Sequence, residues 1–324
     1  MNSASIYTAL AFASFSSLQS LTASPWQIEA APQSWRITGK IEESESVSGA
    51  AIFDTQHGLL VSDEVRVIQP IKLDPTTHTL SVSEAISILP GDGKELDLEA
   101  IVASSQNHCY YATGSHAVSR KTGKIQPDRM HVFKLPIDPK TSVIQKQAIR
   151  VASLVSIIRS DKLLCPSLGK PSDKDGMDIE GLTEKDGQLF FGLRSPNPNG
   201  HAFIVEVNAN DLFSDSIEPE HLTHQIPLES GLGIRDLVKI KDGFLFIAGP
   251  TGGDEPKSGY SLQHWTGPNG SVTPIGTIPT PDEAKAEGLL ILHESSTSLE
   301  LLVFFDGAEN GAPMWLKLSR SAGN

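Results

Sequence analysis

From Trp35 onward, short apolar runs alternate with Gly, Asp and Asn turns, and one unit recurs: strand, turn, strand, then a polar or charged step. The first copy is residues 48–53 with 58–64, the second 97–102 with 110–116, and the third 178–183 with 188–196. The fourth pairs 233–238 with 243–250, and the fifth 286–291 with 301–307. Most copies are followed by a further apolar strand, as at 130–135, 202–207, 261–265 and 314–318. Short strands at regular spacing belong to sandwiches and propellers. A repeat of roughly fifty residues favours the propeller, because one blade has about that length and buries its faces only by stacking on neighbours. The pattern predicts an all-β fold, a β-propeller of five blades with room for a sixth, in one domain over 35–320. Residues 35–41 offer an early strand to join the last blade.

Two segments break the repeat. Between about 141 and 165, Ile144, Ala148, Val151, Val155 and Ile158 fall at helical spacing, with Lys and Gln opposite. This predicts a helical insertion, packed on the rim or lying over the channel mouth, ended by Pro166, Gly169 and Pro171. Residues 1–34 carry a serine-diluted apolar run, 6–18, before a small-residue step at Leu21-Thr22-Ala23, with no Lys or Arg ahead of it. The segment reads either as a weak export signal or as an N-terminal extension, so export and a cytoplasmic location both stay open. No stretch is long and apolar enough to predict a transmembrane helix.

The innermost strands of a propeller line its central channel, so equivalent positions of successive blades converge there. Aligning the repeats puts Gly49, Glu99, Glu180, Asp236 and Glu287 at one level. The ends of the second strands give another ring: Asp63 or Glu64, Ser115 or His116, Arg194, Gly249 and Asp306. Arg235 adjoins Asp236, and Asp97 and Asp178 each precede a glutamate by two residues, which puts both members of a pair on one face.

These residue types suggest roles. Asp63, Glu99, Glu287 and Asp306 are hard oxygen ligands suited to calcium. Arg194 and Arg235 suit a phosphate or carboxylate, with Ser115 and Ser195 as further substrate contacts. His116, Glu180 and Asp236 are candidates for proton transfer. The competing reading is structural: the arginines pair internally with the acids, and the histidine is a satisfied loop residue. No glycine-flanked nucleophile elbow surrounds Ser115 or Ser195.

Composition narrows the partners. The formal net charge of −13, without a basic stripe, excludes a nucleic-acid partner, since phosphate backbones would be repelled. Two cysteines, Cys109 and Cys165, make neither a disulfide framework nor a zinc site, and the simplest reading is two free thiols.

Several motifs occur in order: Ser62-Asp63-Glu64, Asp97-Leu98-Glu99, Gly114-Ser115-His116, Lys121-Thr122-Gly123-Lys124 with Arg129, Ile179-Glu180-Gly181-Leu182, Gly192-Leu193-Arg194-Ser195-Pro196, Gly233-Ile234-Arg235-Asp236 and Ala248-Gly249-Pro250. In this order they resemble the bacterial family called domain of unknown function 3616, over about residues 47–318. The resemblance implies a propeller-like β fold and no particular activity. The family is distantly similar to the esterase-like phytase propellers, which is a fold-level analogy. Two functions therefore stand side by side. One is a metal-assisted hydrolase of a phosphate or carboxylic ester at the channel mouth. The other is a non-catalytic module that binds an anionic small molecule or a protein partner.

Overall fold

The structure, a computed structural model, describes residues 26–29, 33–215, 219–252 and 259–320. The candidate export signal lies outside these residues. Each repeat forms one antiparallel sheet, because its turns reverse the chain every few residues and its strands carry β-branched and aromatic side chains. The five sheets form the blades of a propeller. Their inner strands are Val47–Ile52, Leu98–Ser104, Asp178–Lys185, Leu232–Ile240 and Lys285–Glu294.

Second strands such as Gln188–Ser195 and Gly243–Pro250 are buried on both faces along nearly their whole length. That explains their continuous apolar runs, since every blade is sandwiched between two others. The core is accordingly divided into five apolar clusters, one between each pair of neighbouring blades. Between blades 3 and 4, for example, the Phe190, Phe244 and Trp265 rings meet with centroids 4.8 to 6.3 Å apart.

The ring is closed by the N-terminal strand Trp26–Ile28, which pairs antiparallel with Met314–Arg320 in blade 5. Gln33–Ser34 joins the same strand. Strand Arg36–Thr38, in the segment expected to join the last blade, instead runs parallel to Thr79–Val82 on the outer edge of blade 1. The fold therefore includes strands ahead of residue 35, where the sequence pattern placed its start.

The segment expected to be helical has a more varied structure. It holds a 3-10 turn at Lys146–Ala148, then Arg150–Ala152 as the outer strand of blade 2, then one short α-helix, Val155–Ser160. Leu154, Ile157, Ile158 and Leu164 are buried in the same cluster as Tyr111 and Phe191. The helix thus packs on the rim. Both cysteines are free, Cys109 buried and Cys165 exposed. No helix among the described residues is long and apolar enough to cross a membrane.

Candidate functional site

At the start of every inner strand the pairing with the second strand slips by one residue. The inner-strand residues left unpaired at these slips are Ser48, Glu99, Glu180, Arg235 and Glu287, and in blade 3 Arg194 of the second strand is left unpaired as well. A β-bulge bends its strand and re-aims the extra side chain. The five bulges therefore define the ring at this end of the channel. Repeat alignment had placed Glu99, Glu180 and Glu287 correctly but was one residue off in two blades. Ser48 stands where Gly49 was expected, and Arg235 where Asp236 was expected.

The residue after the bulge lies against the neighbouring blade, which is why it is small in most blades. A Cβ on Gly288 would lie 3.1 Å from the Ser48 carbonyl oxygen, and one on Gly181 would lie 3.0 Å from Leu237 Cβ. Blade 4 has Asp236 there. Its carboxylate accepts from the backbone N–H groups of Leu237 at 2.7 Å and Leu289 at 2.6 Å, tying blade 4 to blade 5. Asp236 is therefore held inside the sheet layer and does not line the mouth.

A cavity of about 70 Å³ opens at this end of the channel. Asp63, Asp97, Glu99, Asp178, Glu180, Glu287 and Asp306 line it, together with Arg120, Arg129, Arg194 and Lys285. Most of these charges are already paired. Glu180 sits between two guanidinium groups, with Arg194 Nη1 at 2.7 Å and Arg235 Nε at 2.9 Å. Arg194 also lies 3.4 Å from Asp178, and Arg235 also pairs with Glu287. Arg129 pairs with Glu95 and, at 3.1 Å, with Asp97, while Lys285 holds Asp306 at 2.6 Å. Both arginines expected to bind substrate are thus consumed by internal ion pairs, and Arg235 is only 1% exposed.

One side of the cavity is different. Glu99 is buried, 9% exposed, and makes no hydrogen bond or ion pair among the described residues, yet it lines the cavity. Asp63 Oδ1 is buried without a partner. One oxygen each from Asp63, Asp97 and Glu99 lie within 4.8 Å of one another. Burial, reinforced by Asp97, Glu180 and Asp63, pushes the Glu99 carboxyl well above the ordinary range. Burial and the charges of Asp306 and Asp97 bring Asp63 up to about 7. Asp97 is also raised by burial, although Arg129 and the Ser115 hydroxyl oppose the shift. Its backbone is in the left-handed region, φ 53°, which aims the side chain past the start of its strand.

Other expected site residues are elsewhere. His116 is buried, with Nδ1 3.0 Å from the Gly114 carbonyl oxygen and Nε2 accepting the Leu154 N–H at 3.1 Å. Both ring nitrogens face backbone, and burial pulls its pKa down to about 4. It joins blade 2 to the rim helix and does not face the cavity. Ser115 donates to Asp97 and accepts the Ala117 N–H at 3.1 Å, which orients that carboxylate. Ser195 Oγ donates to the Ser172 carbonyl at 3.0 Å. Neither serine is positioned as a nucleophile. The cations Arg120, Arg129 and Lys285 were not among the expected site residues. Arg129 alone carried a signal, as part of an ordered motif, because none of the three has a counterpart in the other repeats.

A sequence model of the family described as "Protein of unknown function (DUF3616)" matches residues 128–312. No curated protein matches the chain. Among solved structures, the calcium structure of a Trichoderma reesei carbohydrate-active enzyme of family AA12 is 11% identical, over 92% of this chain and 96% of that one, with a TM-score of 0.45. A streptogramin B lyase is 11% identical, over 90% and 97%, with a TM-score of 0.40. A Lactobacillus plantarum protein is 12% identical over 82% of this chain, which spans only 66% of that protein, with a TM-score of 0.37. At these identities and TM-scores, no chemistry passes from those proteins to this one.

Proposed function

The chain belongs to the DUF3616 family, and we propose that its channel mouth is a binding site for a hard divalent cation, best matched by calcium, which in turn anchors an anionic ligand. Glu99 carries this reading. A carboxylate buried to this degree ordinarily has a partner, because an unpaired buried charge costs several kcal/mol, about 3–5 when a partner is lost. Glu99 makes no hydrogen bond or ion pair among the described residues, only the longer-range attraction of Arg129 and Arg194, and it lines a cavity beside two further acids.

The cavity is small, about 70 Å³, and its open carboxylates suit a hard cation. Oxygens no more than 4.8 Å apart can converge on one cation, and carboxylates are the ligands that a hard divalent cation takes. Asp63, Asp97 and Glu99 would be the protein ligands, and Ser115 would orient Asp97. Calcium takes six to eight oxygens, so about half its shell would be left for water and a ligand oxygen.

An anionic ligand would approach from the solvent side. Arg120 is exposed there and lines the cavity without an ion pair among the described residues, so it would replace Arg194 and Arg235 as the anion contact. A bound cation would also act as a Lewis acid on a phosphate or carboxylic ester, and that is where hydrolysis would enter.

The test is calorimetric titration of the EDTA-treated full chain with calcium and with magnesium, for wild type and Glu99→Gln. Calcium binding that is tighter than magnesium binding and lost in Glu99→Gln is the expected result. If calcium does not bind, or binds the folded variant equally well, the reading is wrong. Turnover of phosphate or carboxylic esters that needs calcium would add the hydrolase reading, and calcium binding without turnover would leave a binding module.

A further inference from the structure

A second cavity, of about 320 Å³, lies between blades 1 and 5, away from the acidic mouth. It falls within the range of roughly 300–1,000 Å³ usual for small-molecule sites. Its walls include Trp35, Leu73, His78, Leu292, Glu300 and Trp315. The chain builds it from segments far apart in sequence. Trp35 enters between the two edge strands, His78 sits on the turn before Thr79–Val82, and Trp315 and Glu300 are on adjacent strands of blade 5. Three rings line up along one side. His78 stacks on Trp35 with centroids 5.5 Å apart at 24°, and on Trp315 at 6.2 Å and 23°.

Among the described residues, Glu300 is the one acidic residue lining this cavity, and it makes no hydrogen bond or ion pair with them. Lys317, directly opposite it in the sheet register, turns instead to Glu29 at 3.0 Å. Its other cross-strand neighbour is His293, which is exposed and also lines the cavity. The cavity therefore combines two indole rings, aliphatic side chains and one uncompensated carboxylate.

We propose that this cavity binds a small organic cation of the alkyl- or quaternary-ammonium class. Such a group needs what is present here: aromatic faces whose quadrupole attracts a positive charge, apolar contact for its methyl groups, and a carboxylate for the net charge. An anion would meet Glu300, and a neutral apolar ligand would leave it unpaired on binding. The site is independent of the channel mouth, and its test needs no divalent cation.

Choline is the probe, titrated by calorimetry against the full chain in EDTA at mildly alkaline pH. Its uncharged isostere 3,3-dimethylbutan-1-ol is the control. Choline should bind, the isostere should bind at least about tenfold more weakly, and Glu300→Gln should reduce choline affinity by about the same factor. Trp315→Leu, which keeps an apolar side chain in the sheet, should weaken choline binding as well. The proposal is overturned if choline fails to bind at millimolar concentration. It is equally overturned if the isostere binds as tightly, or if a folded Glu300→Gln chain retains full affinity.

Discussion

His116 gives the sharpest test of whether an expected catalytic residue is instead a structural one. Its Nδ1–H donates to the Gly114 carbonyl, and its Nε2 lone pair accepts the Leu154 N–H. A second ring proton would have to sit on Nε2, facing that N–H donor. With burial, this lowers the folded-state pKa to about 4, from about 6.5 in an unfolded chain. Above about pH 6.5 neither state holds the extra proton, and this group makes stability independent of pH. As pH falls from there towards 4, the unfolded chain takes up the proton and the folded chain does not, so stability is lost. Below about 4 both states are protonated and the loss stops. Each pH unit of that window is worth about 1.4 kcal/mol, which gives a loss of about 3 kcal/mol. The mouth carboxylates have raised pKa values and act in the opposite direction over much of this range, so wild type alone is not diagnostic. Urea unfolding of wild type and His116→Asn, from pH 7.5 to 4, removes their shared contribution. Wild type should be the more stable at pH 7.5, and its advantage should shrink by about 3 kcal/mol at pH 4. An advantage that stays constant across the range would refute the assignment of His116 as a buried neutral tie.

Two further variants probe the frame of the site. Arg235→Met removes a guanidinium that holds both Glu180 and Glu287, leaving two buried carboxylates short of a partner. It should cost about 3–5 kcal/mol in urea unfolding, and adding Glu180→Gln and Glu287→Gln should recover a large part of that loss. Trp26→Ala should cost about 3–5 kcal/mol, because this indole is 1% exposed on the strand that closes the ring. A cost under about 1 kcal/mol, measured by the same unfolding, would mean that Trp26–Ile28 does not hold the ring shut.

How much of this was legible in the sequence follows from the range of the interactions. Strand and turn signals are local. The apolar run Gly58–Leu59–Leu60–Val61 and the turn chemistry between runs are set by residues a few positions apart. The repeat then fixes the architecture, because similar units that cannot bury their own faces must stack on each other. Convergence of Glu99, Glu180, Glu287, Asp63 and Asp306 follows as well, since a closed ring brings equivalent positions together. The local helical spacing near Ile144 was misleading over part of its length. Pairing with Val132–Pro136 drew Arg150–Ala152 into the sheet and left only Val155–Ser160 helical.

Tertiary structure decided the rest, for one physical reason: a side chain's role here depends on partners supplied by other blades. A bulge exists only relative to the strand opposite, so nothing within Gly233-Ile234-Arg235-Asp236 says that Arg235 reaches Glu180 and Glu287 while Asp236 binds the Leu289 amide. Charge pairing is similarly non-local. Arg194 and Arg235 are spent on Glu180, whereas Glu99, with the same repeat position as Glu180, makes no ion pair among the described residues. The sequence by itself determined that acids and arginines would meet at one end of a ring of five or six blades. Only the packed structure determined the number of blades, which of those charges pair with each other, and which carboxylate is left lining the cavity.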